Sequence, residues 1–311
     1  MRERVGSAIQ RLEYRPRVAA RSMRGASYTI GLEIPQITND FLTMVVHGAL
    51  EALHESSYRL IVAPVRSLAD SGRAIESLTD RQVDALITVS PLVSQQQLER
   101  ISQHTPTVVI GRHDHSSHFD TVTGADSTGT HLMMDHLFEL GHRRIALLQP
   151  RVPQEPTPEL PEGWVPTGRD PHDIRKRVYV DRMRQKGLLP LVVETGTEEL
   201  DACAAWLRFL ESTERPTAVF AANDTLAVGV LRANLERGIG PSEISVAGYD
   251  DTTIASHPAI SLTSVDQSGH RMGQDAVRLL LERLGGRQES LQIEEQVTLR
   301  LRGSTSNPRD A

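Results

Sequence analysis

A single cysteine, Cys203, in 311 residues excludes an intrachain disulfide and fits a reducing compartment. Aromatic side chains make up only 4% of the chain. Small aliphatics and glycine are plentiful instead, which suits packed α/β layers better than an all-β sandwich. No apolar run approaches the roughly 18 residues that a membrane-crossing helix needs. The opening Met1–Gly6 has no hydrophobic signal core. A cytoplasmic protein with no membrane partner is expected. The phosphate-cradling, nucleophile-elbow and zinc-protease signatures are also absent, and no nucleophile has an evident base nearby. An enzyme is not expected, and neither is a cofactor. What is present is 39% hydrophobic residues over a length that suits two domains, enough to bury a sizeable core.

Charge is placed unevenly. Residues 1–27 hold seven arginines against Glu3 and Glu13, a net of +5, whereas the whole chain carries −6. A basic arm on an acidic body points to a polyanion at one end only. A solvated, arginine-rich terminal helix explains the charge alone equally well.

From Tyr28 onward, short apolar runs alternate with helix-period runs. Strands are predicted at 28–34, 58–64, 83–89, 107–110, 121–124, 143–149, 190–194, 217–222, 244–248 and 262–266. Helices are predicted near 41–56, 70–82, 94–103, 127–140, 172–187, 198–212, 224–238 and 268–284. β-Branched runs that do not alternate mark strands buried on both faces, as in parallel sheets. Strand–helix alternation at this spacing means right-handed βαβ units, and about ten strands suggest two lobes. The stretch 150–171 holds seven prolines and reads as an exposed loop.

Within residues 1–27, Val5, Ala8, Ile9 and Leu12 make one apolar helical face that ends at Tyr14-Arg15-Pro16. Such a helix is too short to be stable alone. This segment, with Ala20, Arg21 and Met23 after it, resembles the last helix and hinge helix of the DNA-binding part of a LacI/GalR-family transcriptional regulator. The likeness continues in family order through Ile30-Gly31-Leu32, Asn39-Asp40-Phe41, Asp126-Ser-Thr-Gly129, Gly141-His-Arg-Arg-Ile-Ala, Ala222-Asn223-Asp224, Ile244-Ser-Val-Ala-Gly-Tyr-Asp250-Asp251 and Leu262-Thr-Ser-Val-x-Gln267.

The resemblance implies a two-lobed, periplasmic-binding-protein-like (type I) α/β fold with parallel sheets behind a helical hinge remnant. Residues 1–27 would be the remnant and 28–311 the effector-binding, dimerising core. Lobe one is expected at about 28–140 and 268–288, lobe two at about 141–266 and 289–303. It also implies a homodimer, a sugar-like effector between the lobes, and operator DNA as partner through Arg15, Arg17, Ala20, Arg21 and Met23. Arg17 stands where the family has Asn, and Met23 where it has Leu, which keeps an apolar minor-groove wedge. The chain starts at the third helix of the family's DNA-binding part, so the helix-turn-helix reader is expected to be absent from it, through a real truncation or a misassigned start. Val45, Leu53 and Leu78 are expected to be exposed on the dimerising lobe.

Strand ends supply the candidate site by a separate route, because ligands of open parallel sheets sit beyond the carboxyl ends of the strands. Asn39, Asp126, Asn223 and Asp250 fall there, and paired amides and carboxylates suit a hydroxyl-rich ligand. The resemblance adds Phe41, Gln267 and Arg175, the last by its place twelve residues before Gly187. Asp224 reads more as a helix cap than as a ligand contact. His113-Asp114-His115-x-x-His118 has metal-like residue types but reads as a solvated loop, and adjacent Asp250 and Asp251 point to opposite faces. No metal site is expected. A periplasmic-type sugar-binding protein, or a dimeric ligand binder without specific DNA binding, would share the same core.

Overall fold

The computed structural model describes residues 26–65, 70–151, 168–212 and 215–309. One six-stranded sheet contains β1 (Thr29–Ile34), β2 (Arg59–Pro64), β3 (Ala85–Val89), β4 (Thr107–Ile110), β5 (Asp120–Gly124) and β11 (Gln292–Glu295). The other contains β6 (Ile145–Pro150), β7 (Leu191–Thr195), β8 (Ala218–Ala221), β9 (Ser245–Tyr249), β10 (Thr263–Asp266) and β12 (Thr298–Arg300). Their orders are β11-β5-β4-β3-β1-β2 and β12-β10-β9-β8-β6-β7. Among the described strand pairs only β10 with β12 is antiparallel. β3, β4, β6, β8 and β9 are buried along their whole length, which is why they read as unbroken aliphatic runs.

Helices α1 (Asp40–Ala52), α2 (Asp70–Asp80), α3 (Gln95–Ser102) and α8 (Gly269–Leu284) pack on the first sheet. Helices α4 (Asp126–Glu139), α5 (Pro171–Gln185), α6 (Glu199–Phe209) and α7 (Asp224–Glu236) pack on the second. All ten predicted strands and eight predicted helices are present. Cys203 lies buried in α6, in the core with Trp206.

The lobe boundaries differ from those expected. Helix α4 belongs to the second lobe, since Met133, Met134, Leu137 and Phe138 share a core with Ile145, Leu147 and Tyr179. The chain therefore changes lobes at Gly124–Asp126 and not after residue 140. Residues 292–295 were expected in the second lobe but pair as β11 with β5. The buried Asp120 explains this, accepting from the Leu291 N–H at 2.7 Å and from Arg283 and Arg287 at 2.7 Å each. Three segments thus cross between lobes: β5 to α4, β10 to α8 and β11 to β12.

Val45, Leu53 and Leu78 are core residues, 0%, 4% and 1% exposed, contrary to expectation. Helix α1 lies directly against α8, so its apolar stripe is consumed inside the lobe. Gly48 and Gly273 make that approach possible, as a Cβ at Gly48 would stand 1.8 Å from the His270 carbonyl oxygen. Residues 1–25, with Arg15, Arg17, Ala20, Arg21, Met23 and the expected hinge helix, lie outside the described residues, as does most of the proline-rich stretch.

Candidate ligand cleft between the lobes

The carboxyl ends of both sheets face a cavity of about 220 Å³. Asn39, Phe41, Asp126, Arg175, Asn223, Asp250 and Gln267 all line it. Seven residues picked from separate strand ends and motifs are therefore brought together in one place. Asn39 caps α1, its Oδ1 accepting from the Phe41 N–H at 2.9 Å. Asn223 caps α7 in the same way, accepting from the Leu226 N–H at 2.9 Å while only 6% exposed. Each cap uses the amide oxygen and leaves the NH2 group for the cleft. Phe41 seats its ring against Gly269 at the start of α8, where a Cβ would come within 2.6 Å of it.

Where the lobes join, a buried polar chain holds the other four. Arg175 donates from Nε to Asp126 Oδ1 at 2.8 Å, from Nη1 to the Ala222 carbonyl at 2.6 Å and from Nη2 to Gln267 Oε1 at 3.3 Å. Its guanidinium lies 3.6 Å above the Tyr249 ring centroid. Gln267 passes the chain on by donating to Asp250. Burial alone would raise the Asp126 carboxyl, but Arg175 and His113 together hold it below the usual range. Asp250 goes the other way, since burial pushes it well above that range and Arg175 only partly compensates. Asp250 also sits at φ 109°, a left-handed conformation that costs a non-glycine residue about 1–3 kcal/mol. The Gln267 bond and its own N–H, donating to the Val265 carbonyl at 2.8 Å, hold it there.

Asp224 does not cap α7, which is the work of Asn223, nor does it line the cleft. It points inward and accepts from the Thr252 N–H and hydroxyl and from the Ser264 hydroxyl, at 2.7, 3.0 and 2.6 Å. Burial pushes its pKa up to about 6. The loop 113–118 is not simply solvated. His113 Nε2 lies 2.8 Å from Asp126 Oδ2, and Asp114 is fully buried between Arg112 and Arg169. Among the described residues no group of three or more His, Cys, Asp or Glu side chains is placed to hold a metal ion.

Sequence reasoning missed Gln36, Ser90, Arg151, Asp170 and His172, which also line the cavity. Asp170 was findable, because Asp170-Pro171 before a helical run is a cap followed by proline at the first helical position. It accepts from the His172 N–H at 2.9 Å and so starts the helix that carries Arg175.

Residues 134–305 match a family model described as a periplasmic binding protein-like domain. The HTH-type transcriptional repressor PurR of Vibrio atlanticus is 29% identical over 287 residues, covering 91% of this chain and 82% of that protein. A LacI transcriptional regulator from a Rhodococcus species superposes with a TM-score of 0.77 at 26% identity, over 90% of this chain and 98% of that one. A LacI family regulator from Enterococcus faecium, solved with bound ribose, gives 0.76 at 25% identity, over 90% and 99%. The family match spans more than half of the chain, and the motifs, two-sheet topology and regulator relatives agree with it. The chain belongs to the LacI/GalR family of transcriptional regulators, built on a periplasmic-binding-protein-like core.

Proposed function

We propose that this protein is a ligand-responsive transcriptional repressor that takes a small, hydroxyl-rich effector between its lobes. The observation that carries this reading is the convergence of Asn39 and Phe41 from one lobe with Asn223 and Asp250 from the other on a single cavity. A ligand touching both walls binds the closed arrangement better than the open one, and that difference is what shifts the population of DNA-competent molecules. The basic arm of residues 1–27, with Arg15, Arg17, Ala20, Arg21 and Met23, is the proposed route to operator DNA, its arginines neutralising phosphates. A dimer would present two such arms, and cytoplasm is the proposed location.

A calorimetric titration with a panel of monosaccharides, ribose first, tests the cleft. Asn223→Ser keeps a capping oxygen and removes the amide NH2, and Asp250→Asn keeps a residue that tolerates positive φ. Each should weaken the best monosaccharide by more than roughly tenfold, about 1.4 kcal/mol, with little change in melting temperature. Repeating the titration on a labelled DNA duplex reads the coupling. Loss of fold without selective loss of binding would show that these residues are caps and core only.

A further inference from the structure

A second cavity, of about 710 Å³, adjoins the first and shares Pro35, Gln36, Ser90, Leu92, Arg151 and Thr197 with it. Its walls hold a buried carboxyl that the effector reading does not use. Glu33 on β1 is 1% exposed and lines this cavity. Its Oε1 accepts from the Ser71 hydroxyl at 3.0 Å, and the carboxyl also accepts from the Val89 backbone N–H. Its Oε2 is buried with no hydrogen-bond partner among the described residues, and the same holds for Thr195 Oγ1 at the end of β7. Glu33 belongs to the first lobe and Thr195 to the second, so each lobe contributes to the lining of this space one residue with a buried, unsatisfied oxygen.

The charge around them is acidic. Glu33, Glu194, Glu198 and Asp201 line the cavity against Arg151 and Arg208. Arg151 stands 3.9 Å from Glu194, while Glu198 and Asp201 are engaged in the capping box of α6. Among the described residues no cation lies within ion-pair distance of Glu33.

We propose that the effector is a two-part molecule whose far part carries a protonated amine, seated in this second cavity on Glu33 Oε2 and Thr195 Oγ1. The inference rests on the inter-lobe reading above and extends it. An ammonium has three donors and no acceptor, which complements a wall of spare acceptors. A buried polar oxygen left without a partner is costly, so a ligand that supplies one gains affinity that a plain hydrocarbon cannot. Burial pushes Glu33 up to about 8, so the free protein holds a proton there near neutrality. Arrival of the cation favours the carboxylate and releases that proton.

The test uses the full chain and two disaccharides of one skeleton, the β-1,4-linked glucosamine dimer and cellobiose, at pH 6.5. The amine-bearing disaccharide is expected to bind at least roughly tenfold more tightly. Calorimetry in two buffers of different ionisation enthalpy is expected to show close to one proton released with the amine and none with cellobiose. Glu33→Gln should abolish both the preference and the release. Should that variant fail to fold, the proton release by the unaltered chain decides the matter alone. Equal affinities, a preference that survives Glu33→Gln, no proton release, or no binding of the glucosamine dimer at millimolar concentration would overturn the proposal. The monosaccharide titration with Asn223→Ser reports on the first cavity only, so failure of that reading is distinguished from failure of this one.

Discussion

Arg175 shows how one buried side chain can tie several elements together. It is 3% exposed and meets Asp126, the Ala222 carbonyl, Gln267 and the face of Tyr249 at once. Removing one partner of such a buried pair leaves the other charge uncompensated, a loss of about 3–5 kcal/mol. Arg175→Met is therefore expected to lower stability by about that amount in urea denaturation at pH 7. Adding Asp126→Asn should recover part of it, because the stranded carboxylate is gone. The pH dependence has a definite sign. Asp126 is held below the usual carboxylate range, so its stabilising contribution is present above that range and fades as pH falls through the lowered value. The gap between the native chain and Arg175→Met should then narrow in acid. A gap that is constant with pH, or a double variant no better than the single one, would place the value of Arg175 in packing rather than charge.

At the level of elements, the contact between α1 and α8 is set by two glycines. A Cβ at Gly48 would meet the His270 carbonyl oxygen at 1.8 Å, and one at Gly273 the Val45 carbonyl oxygen at 2.1 Å. Both obstacles are backbone, so the helices must separate before a methyl group fits. Gly48→Ala should gain about 1 kcal/mol of helix propensity and lose more than that by overpacking, for a net loss of about 1–3 kcal/mol. Gly72 in α2 is the control. A Cβ there meets nothing nearer than 3.6 Å, so Gly72→Ala should be neutral or stabilise by up to about 1 kcal/mol. Thermal melting of the two variants decides it, and equal effects would remove the steric argument. These elements also show what the sequence reveals. The central strands and all eight helices were legible because complete burial leaves unbroken aliphatic runs and one-sided burial leaves a period. β11 (QIEE) and β12 (TLR) were not, because three or four residues with a single apolar side chain each are too short to carry a pattern and their pairing is fixed from elsewhere, by Asp120 for β11. Val45 and Leu53 misled for a related reason. A helical stripe says that a face is covered, not by what, and the covering helix α8 starts more than 200 residues away. The cleft was legible in its strand-end residues, whereas Arg151, Ser90 and the second cavity carried no local signal.

For the whole molecule, three segments cross between the lobes, and the first sheet has β2 as one of its two edge strands. Strand β2 ends the first sheet, and Ile61 on it is 39% exposed, with Leu50 on α1 at 50% and Tyr28 beside β1 at 47%. Among the described residues no strand pairs with the outer side of β2, and an edge strand flanked by apolar side chains is a ready template for pairing with another chain. A second copy meeting it about a two-fold axis would cover both edges with one self-complementary patch. The second sheet ends likewise on β7, where Val192 is 36% exposed beside Leu189 at 82%, so that edge is the rival contact face. Sedimentation equilibrium of the full chain without DNA or ligand should therefore give twice the chain mass of 34.4 kDa at micromolar concentration. Ile61→Asp adds an outward charge to the edge without touching the core or the cleft, and should shift the equilibrium to the single-chain mass while ribose titrations remain unchanged. If the unaltered chain sediments as one copy, the edge is not an interface. If it sediments as a dimer that Ile61→Asp leaves intact, the contact lies on another face, and the arms of residues 1–27 would then be brought together by a different geometry.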